Sequence, residues 1–91
     1  MILILDYGMG NLKSLSNALK KKDIQFKIIS SPKNESFSHI ILPGVGSYPR
    51  AINELKKRNL IDFLKYHNSK NVPILGICLG MQILSSVGFE K

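Results

Sequence analysis

The chain has 91 residues, 44% of them hydrophobic, and a single cysteine, which predicts one small globular domain over residues 1–91 with a free thiol. No apolar run approaches the roughly 20 residues that cross a bilayer, and residues 1–6 lack the basic start of a signal peptide, so we expect a cytoplasmic protein without membrane contact. The net charge is +7, but the basic runs at residues 20–22 and 56–58 close predicted helices and contain no aromatic residue to stack on bases, so we expect no nucleic-acid partner.

The first part of the chain predicts two strands separated by a helix. Residues 1–6 are an apolar run typical of a buried strand. Asn11 is a suitable cap for a helix with four apolar positions on one face, Leu12, Leu15, Ala18 and Leu19. Residues 25–30 predict a second strand, which ends in a Ser-Pro-Lys-Asn turn.

The later part of the chain predicts two further strands. Residues 40–42 form a short strand that ends at Pro43 and Gly44. Residues 48–67 have helical spacing of apolar positions, with a kink or a break between two helices at Asn59. Residues 72–77 predict a fourth strand, and residues 79–87 predict a final helix.

The alternation of strands and helices predicts the class of fold. Apolar strands that do not alternate with polar residues are typical of a parallel sheet covered on both faces. We therefore expect an open α/β parallel sheet of about four strands with helices on both faces, a flavodoxin-like arrangement. Because crossovers are right-handed, the carboxyl ends of all strands meet at one edge, where ligands bind in such sheets.

A cysteine between two glycines lies at the junction of the fourth strand and the last helix. The segment Gly76-Ile77-Cys78-Leu79-Gly80 has the pattern of a nucleophile elbow with cysteine in place of serine. The glycines permit a sharp turn, so we expect a strained backbone at Cys78 that exposes its sulfur. Free N–H groups and the positive end of the helix dipole would favour the thiolate. The alternative is a buried structural cysteine, which the two glycines disfavour.

Two other glycine-containing segments follow strands and should reach the same edge. Leu42-Pro43-Gly44-Val45-Gly46 is suited to presenting backbone N–H groups as an oxyanion hole, or forms only a turn. Residues 7–11, Tyr-Gly-Met-Gly-Asn, lack the third glycine of a dinucleotide site, and no acidic residue ends the second strand. The sequence therefore predicts no cofactor. The loop could instead contact the substrate or a partner, or could simply turn the chain.

Neither histidine is predicted to serve Cys78 as a base. His39 and His67 precede strands, and four strand residues separate the two edges of the sheet by about 13 Å, beyond the reach of proton transfer. We expect His67 to be a charged group at a helix C-terminus. Three acidic residues are expected to be structural: Asp6, Glu54 and Asp62. One cysteine and two distant histidines predict no metal site.

Three segments of the chain resemble one family closely. Residues 5–12 (Leu-Asp-Tyr-Gly-Met-Gly-Asn-Leu), residues 42–46 and residues 76–82 (Gly-Ile-Cys-Leu-Gly-Met-Gln) occur in this order in class I glutamine amidotransferases. The opening Asp-Tyr-Gly-Met-Gly-Asn resembles most the glutaminase subunits of imidazole glycerol phosphate synthases. The resemblance covers essentially the whole chain.

This resemblance implies a reaction and a partner. Glutamine would be hydrolysed through a thioester on Cys78, and the ammonia would pass to a (βα)₈-barrel cyclase subunit in histidine biosynthesis. By motif, the N–H groups of Val45 and Leu79 form the oxyanion hole. Three further residues would hold glutamine, Gly44, Gly46 and Gln82, while the loop with Gly10 and Asn11 would lie at the partner interface.

The family's pattern is only half present. Its members use a Cys-His-Glu triad whose histidine and glutamate lie in a second half that has no counterpart in this sequence. We therefore expect a fragment that is inactive alone and self-associates through uncovered apolar surface. Two alternatives remain: a paralogous subunit that supplies ammonia to another synthase, such as one that amidates a surface sugar, and a non-catalytic binding domain of the same fold.

Overall fold

The computed structural model describes residues 1–87, and the last four residues of the predicted domain, 88–91, lie outside this range. Every predicted strand and helix is present, with strand ends shifted by one or two residues. In chain order the elements are β1 Ile2–Leu5, α1 Leu12–Lys21, β2 Phe26–Ile29, β3 His39–Leu42, α2 Tyr48–Lys57, α3 Leu60–Ser69, β4 Ile74–Gly76 and α4 Leu79–Ser86. No helix within the described range has the length and apolar character needed to cross a membrane.

The strands form one open parallel sheet, as predicted. Their order is β2-β1-β3-β4, and every neighbouring pair is parallel. The chain leaves β1 toward β2 in one direction and later continues from β3 to β4 in the other. Such a reversal creates a crevice at the carboxyl ends of the two central strands, where ligands bind in open α/β sheets.

Helices lie on both faces of the sheet because the two crossovers run in opposite directions and share one hand. The main core lies between one face of the sheet and α2, α3 and α4. Its fully buried side chains include Leu3, Leu5, Ile40 and Leu42 from the strands, and Leu55, Leu64 and Ile83 from the helices. The opposite face is covered by α1, none of whose residues is fully buried.

Local sequence signals account for the helix ends. The Asn11 Oδ1 atom accepts the N–H of Ser14 at 3.3 Å, so the predicted cap of α1 is confirmed. Asn59 has a left-handed backbone with φ 59°, which separates α2 from α3 at the predicted break. The basic runs occupy the ends of α1 and α2, where cations complement the helix dipole.

Glu54 has the structural role that was predicted for it. Its carboxylate pairs with Arg58 at 2.9 Å and with Lys57 at 3.4 Å along α2. The hydrogen bond from Arg58 lowers the pKa of the Glu54 carboxyl below its ordinary value. The pairs are spaced three and four residues apart, the spacing at which side chains meet on a helix surface.

His67 is buried, and the prediction of a charged helix end there was wrong. The residue lies within α3 and retains 7% of its exposure. Its ring centre is 4.5 Å from that of Phe63 and 5.2 Å from that of Tyr66. Burial lowers the pKa of the His67 imidazole below its ordinary value of 6.5, which favours the uncharged ring. Helical periodicity placed His67 in the helix, but it did not predict the contact with Phe37, whose ring centre lies 6.1 Å away.

We expect the stability of the chain to fall as the pH drops below about 6.5, because the unfolded chain binds a proton at His67 that the folded chain resists. The free energy of unfolding in urea, measured between pH 7.5 and 5.5, should decrease less steeply for His67→Phe. His39→Asn removes an exposed histidine and should keep the wild-type slope. An unchanged slope in His67→Phe would show that other groups cause the pH dependence.

Candidate active site

The junction of β4 and α4 forms the predicted elbow. β4 ends at Gly76 and α4 begins at Leu79, and Cys78 between them has φ 55° and ψ −117°. A positive φ is costly for a residue with a Cβ atom, by about 1–3 kcal/mol, so the surrounding packing must impose it. Cys78 is free and exposed at the start of α4. The predicted strained, accessible cysteine is confirmed.

Two glycines permit the close packing that holds this elbow. A Cβ atom on Gly80 would lie 2.0 Å from the carbonyl oxygen of Leu42 in β3. A Cβ atom on Gly76 would lie 2.6 Å from the carbonyl carbon and oxygen of Gly80. Only glycine allows the first turn of α4 to lie against the backbone of the sheet in this way. The Cys-flanking glycines therefore serve packing as well as turning.

The three glycine-containing segments meet at the carboxyl edge of the sheet, as predicted. The Tyr7 hydroxyl donates a hydrogen bond to the Pro43 carbonyl at 2.6 Å. The Val45 N–H donates to the Met9 carbonyl at 2.5 Å, and the Leu79 N–H donates to the Gly44 carbonyl at 3.0 Å. The loop after β3 is therefore tied on one side to the loop after β1 and on the other side to the start of α4.

These ties occupy both amides that the family resemblance assigns to the oxyanion hole. The Val45 and Leu79 N–H groups point to carbonyl oxygens of the protein, so neither is available to a substrate in this conformation. The next amides of α4 are also engaged, because Gly80 donates to Ile77 at 2.9 Å and Met81 donates to Cys78 at 3.0 Å. The N–H groups of Leu79, Gly80 and Met81, which were predicted to be free at the start of α4, are therefore engaged within the protein.

The three residues predicted to hold glutamine differ in their burial. Gly44 is buried, and a Cβ atom there would meet the Tyr7 hydroxyl at 2.5 Å. Gly46 is exposed and has φ +100°, a conformation that suits glycine. Gln82 is exposed on α4, four residues after Cys78 in the chain.

The loop with Gly10 and Asn11, which was predicted to lie at the partner interface, also has structural roles. Gly10 packs against Pro43, whose Cβ would lie 2.9 Å from a Cβ atom at Gly10. Asn11 is exposed and its side chain caps α1. The Asp6 carboxylate accepts the N–H of Gly8 at 3.1 Å, a local turn contact consistent with its predicted structural role.

Tyr7 and Met9 are the site residues that sequence reasoning missed. Both are buried beyond the end of β1, where they continue the alternation of Leu3 and Leu5 on the core face. Burial raises the pKa of the Tyr7 phenol to about 12, so its hydroxyl stays protonated as the donor to Pro43. In the sequence, the alternation of apolar residues continues past the strand end to Tyr7 and Met9, and this pattern could have predicted their burial.

Neither histidine lies near Cys78, in agreement with the prediction from the sequence. His39 begins β3 and the α3 residue His67 precedes β4, whereas Cys78 follows the carboxyl end of β4. Ile40 of β3 is in register with Ile74, and Leu42 with Gly76, so both histidines lie toward the opposite edge. Within residues 1–87, no cluster of three or more potential ligands is arranged to hold a metal ion.

The fold and the cysteine elbow define a class of protein. A family model described as Glutamine amidotransferase class-I matches residues 3–89, and the chain belongs to this family. Among similar proteins is the imidazole glycerol phosphate synthase subunit HisH of Caldanaerobacter subterraneus subsp. tengcongensis, which is 50% identical over 91 residues. That alignment covers 99% of this chain and 45% of the relative.

Other HisH subunits give the same result. The subunit of Streptococcus mutans is 43% identical over 91 residues, and that of Bacillus cereus strain AH187 is 45% identical over 93 residues. The alignments cover 45% and 42% of those proteins. The chain therefore spans somewhat less than half the length of these relatives, and corresponds to their N-terminal part.

We expect Gly80→Ala to destabilise the chain by about 1–3 kcal/mol or more, because the added methyl group would clash with the Leu42 carbonyl oxygen. Urea denaturation measures the loss. Ser85→Ala adds no atoms at an exposed position of the same helix and should change stability little. Equal stabilities of the two variants would mean that α4 is not packed against β3 as closely as described.

Proposed function

We propose that this chain is the nucleophile-bearing half of a glutaminase that supplies ammonia to a cyclase partner in histidine biosynthesis. The observation that carries the proposal is the strained, exposed Cys78 at the start of α4, beside the loop after β3. Membership of the class I family and 43–50% identity to HisH subunits support glutamine as the substrate. The free thiol agrees with a reducing compartment such as the cytoplasm.

In this reaction the Cys78 thiolate attacks the side-chain amide carbon of glutamine. The carbon–nitrogen bond breaks, ammonia leaves with a proton from a general acid, and a glutamyl thioester remains on the sulfur. Water then loses a proton to that same group and adds to the thioester carbon, the carbon–sulfur bond breaks, and glutamate leaves as the thiolate is restored. The exposed elbow supplies the geometry for attack.

The proposed oxyanion hole requires a rearrangement of the loop after β3. For Val45 and Leu79 to stabilise a tetrahedral intermediate, their N–H groups must exchange the carbonyls of Met9 and Gly44 for the substrate oxygen. Gly46 has the conformational freedom to permit such a rotation of the neighbouring peptide. Gly44, Gly46 and Gln82 are proposed to hold the glutamine once this loop has moved.

We place the general base in the part of the relatives that has no counterpart here. His39 and His67 lie toward the other edge of the sheet, and His67 is enclosed by aromatic rings. The family resemblance assigns the role to a histidine held by a glutamate. The 91 residues alone would therefore bind and orient glutamine without completing its hydrolysis.

The loop around Gly10 and Asn11 is proposed to contact the cyclase. Its neighbour Met9 accepts the Val45 N–H, so a partner that moves this loop would also affect the proposed oxyanion hole. The coupling is direct, because one hydrogen bond joins the two loops. Ammonia production would then depend on an assembled complex.

A second candidate is a non-catalytic domain that keeps the fold for binding. It is favoured by the engagement of both proposed oxyanion amides and by the distance of both histidines from Cys78 in the described residues. A paralogous amidotransferase subunit with a different ammonia acceptor, such as a surface-sugar synthase, shares all the features described. Only the identity of the partner separates it from the leading proposal.

A fusion of this chain to the remainder of the Caldanaerobacter relative tests the chemistry; it is called the fusion below. We expect the fusion to release ammonia from glutamine with a cyclase subunit present, and Cys78→Ala to reduce the rate by at least about 1000-fold. Ser85→Ala, at an exposed position of the same helix, should retain the rate. The 91-residue chain alone should release no ammonia above buffer.

Two results would contradict this account. Ammonia release by the 91-residue chain that depends on Cys78 would mean that the base lies within this sequence. A folded fusion that releases no ammonia with any cyclase or synthase partner would favour the non-catalytic candidate.

The role of Asn11 can be separated into capping and partner contact. Asn11→Ser keeps a side-chain oxygen that caps α1, so we expect little change in the stability of the fusion. If the amide also contacts the cyclase, its loss should weaken binding by about threefold to tenfold in calorimetry. Asn11→Ala should lose about 1 kcal/mol of stability as well. Unchanged affinity in both variants would remove Asn11 from the interface.

A further inference from the structure

A cavity lies between α3 and the segment that joins β2 to β3, and it is called the α3 groove below. Residues 32–37 form one wall, and Phe63, Tyr66 and His67 of α3 form much of the other. None of its described lining residues belongs to the candidate active site. Its volume is about 810 Å³, which is within the range of about 300–1,000 Å³ that is typical of small-molecule sites.

The wall formed by α3 is largely aromatic. Phe37 and Phe63 are buried, and their ring centres lie 6.1 Å and 4.5 Å from that of His67. Tyr66 also contacts the His67 ring, at 5.2 Å between ring centres, but it is 59% exposed. An exposed aromatic ring next to buried ones leaves a flat apolar surface on which a planar ligand can stack.

His67 is a buried polar group on this aromatic surface. The residue is only 7% exposed, yet neither of its ring nitrogens has a hydrogen-bond partner among residues 1–87. No fully enclosed side-chain nitrogen or oxygen in that range lacks a partner, so the His67 nitrogens retain access to solvent, and His67 lines the α3 groove. An uncharged imidazole, which burial favours here, offers one donor and one acceptor. A ligand in the α3 groove can therefore supply the partner that the protein does not.

The basic side chains of the α3 groove favour an anionic ligand. Lys33 and Lys70 are both exposed and both line the groove. Glu35 also lines it, but its carboxylate is paired with the ammonium group of Lys27 at 2.6 Å. The whole chain carries a net charge of +7, which adds to the attraction for an anion.

Asp62 is the other acidic residue of the α3 groove, and it lies further from His67 than Lys70 does. It is in the first turn of α3, where the helix dipole stabilises a carboxylate. Along the helix axis, Lys70 is about 4.5 Å from His67 and Asp62 is about 7.5 Å from it. The Lys70 ammonium group also lies 5.7 Å from the centre of the Tyr66 ring. A cation and an aromatic surface therefore occur together at the His67 end of the groove.

We propose that the α3 groove binds a small aromatic carboxylate. The ring of the ligand would stack on Tyr66 and Phe63, and its carboxylate would face Lys33 and Lys70. The His67 imidazole would donate a hydrogen bond to the carboxylate. An aromatic cation would instead meet two lysines, and an aliphatic anion would not match the flat aromatic wall. The proposal goes beyond the glutaminase reaction and does not depend on it, because the α3 groove and the Cys78 elbow share no residue.

Three probes of similar size test the class of ligand. 2-Naphthoate is an aromatic anion, 2-naphthylmethylammonium is an aromatic cation, and decahydronaphthalene-2-carboxylate is an anion without an aromatic ring. We expect 2-naphthoate to bind the 91-residue chain and the fusion with a Kd of about 1 mM or tighter, and the other two probes at least about tenfold more weakly. Titrations followed by backbone amide chemical shifts measure the affinity, and the largest shifts should fall on residues 32–37 and 62–72.

Variants of the lining residues test the individual contacts. His67→Phe keeps an aromatic ring but removes both ring nitrogens, so the affinity for 2-naphthoate should fall by at least about fivefold. Lys33→Gln removes an exposed charge, and the affinity should fall by about twofold to fivefold at low salt. Lys13→Gln is the matched control, because Lys13 is exposed on α1, on the other face of the sheet, and it should change the affinity little. If His67→Phe fails to fold, Lys33→Gln and the ranking of the probes decide the outcome.

Four results would overturn the proposal. They are unchanged affinity in both His67→Phe and Lys33→Gln, equal affinities of the three probes, shifts confined to residues outside the α3 groove, and no binding of 2-naphthoate to the fusion at up to about 10 mM. The proposed function is tested separately. A fusion that binds 2-naphthoate in the α3 groove but releases no ammonia would uphold this inference and overturn the glutaminase, and the reverse pair of results would do the opposite.

Discussion

The close approach of α4 to β3 is the constraint on which the rest of the site depends. Gly80 lies so near the Leu42 carbonyl that a methyl group there would meet the oxygen at 2.0 Å. The same carbonyl accepts the Ile77 N–H at 3.0 Å, which anchors the residue before the cysteine. With the chain held on both sides, Cys78 must take a positive φ and present its sulfur at the sheet edge. Close packing of backbone on backbone therefore accounts for the strained, exposed position of Cys78.

The loop after β3 is held closed by contacts of modest strength. The amides of Val45 and Leu79 are bound to carbonyls of the protein, and each such bond contributes only about 0.5–1.5 kcal/mol to stability. Under the proposed function, a substrate oxyanion or a bound partner would supply a free energy of this size. The buried Tyr7 hydroxyl, which binds the Pro43 carbonyl, anchors the start of the loop while its later residues remain exposed.

The two faces of the sheet are covered to different extents. The α2, α3 and α4 side buries a continuous core, whereas the α1 side leaves Ile28 and Leu75 exposed beside an uncharged strand edge. Apolar surface of this kind on an α/β sheet is stabilised by covering it, at about 25 cal/mol per Å² removed from water. The less covered side includes Leu75, which lies three residues before Cys78 in the chain.

Sequence alone predicted the elements, the parallel sheet, the break at Asn59, the cap at Asn11 and the strained cysteine. These follow from apolar spacing, glycine positions and capping chemistry, all of which act between near neighbours in the chain. The tertiary structure alone decided which carbonyl groups the Val45 and Leu79 amides bind and that His67 is buried beside Phe37. Such contacts join residues that are far apart in the chain; Tyr7 and Pro43, for example, are 36 positions apart. Local sequence patterns therefore do not predict them.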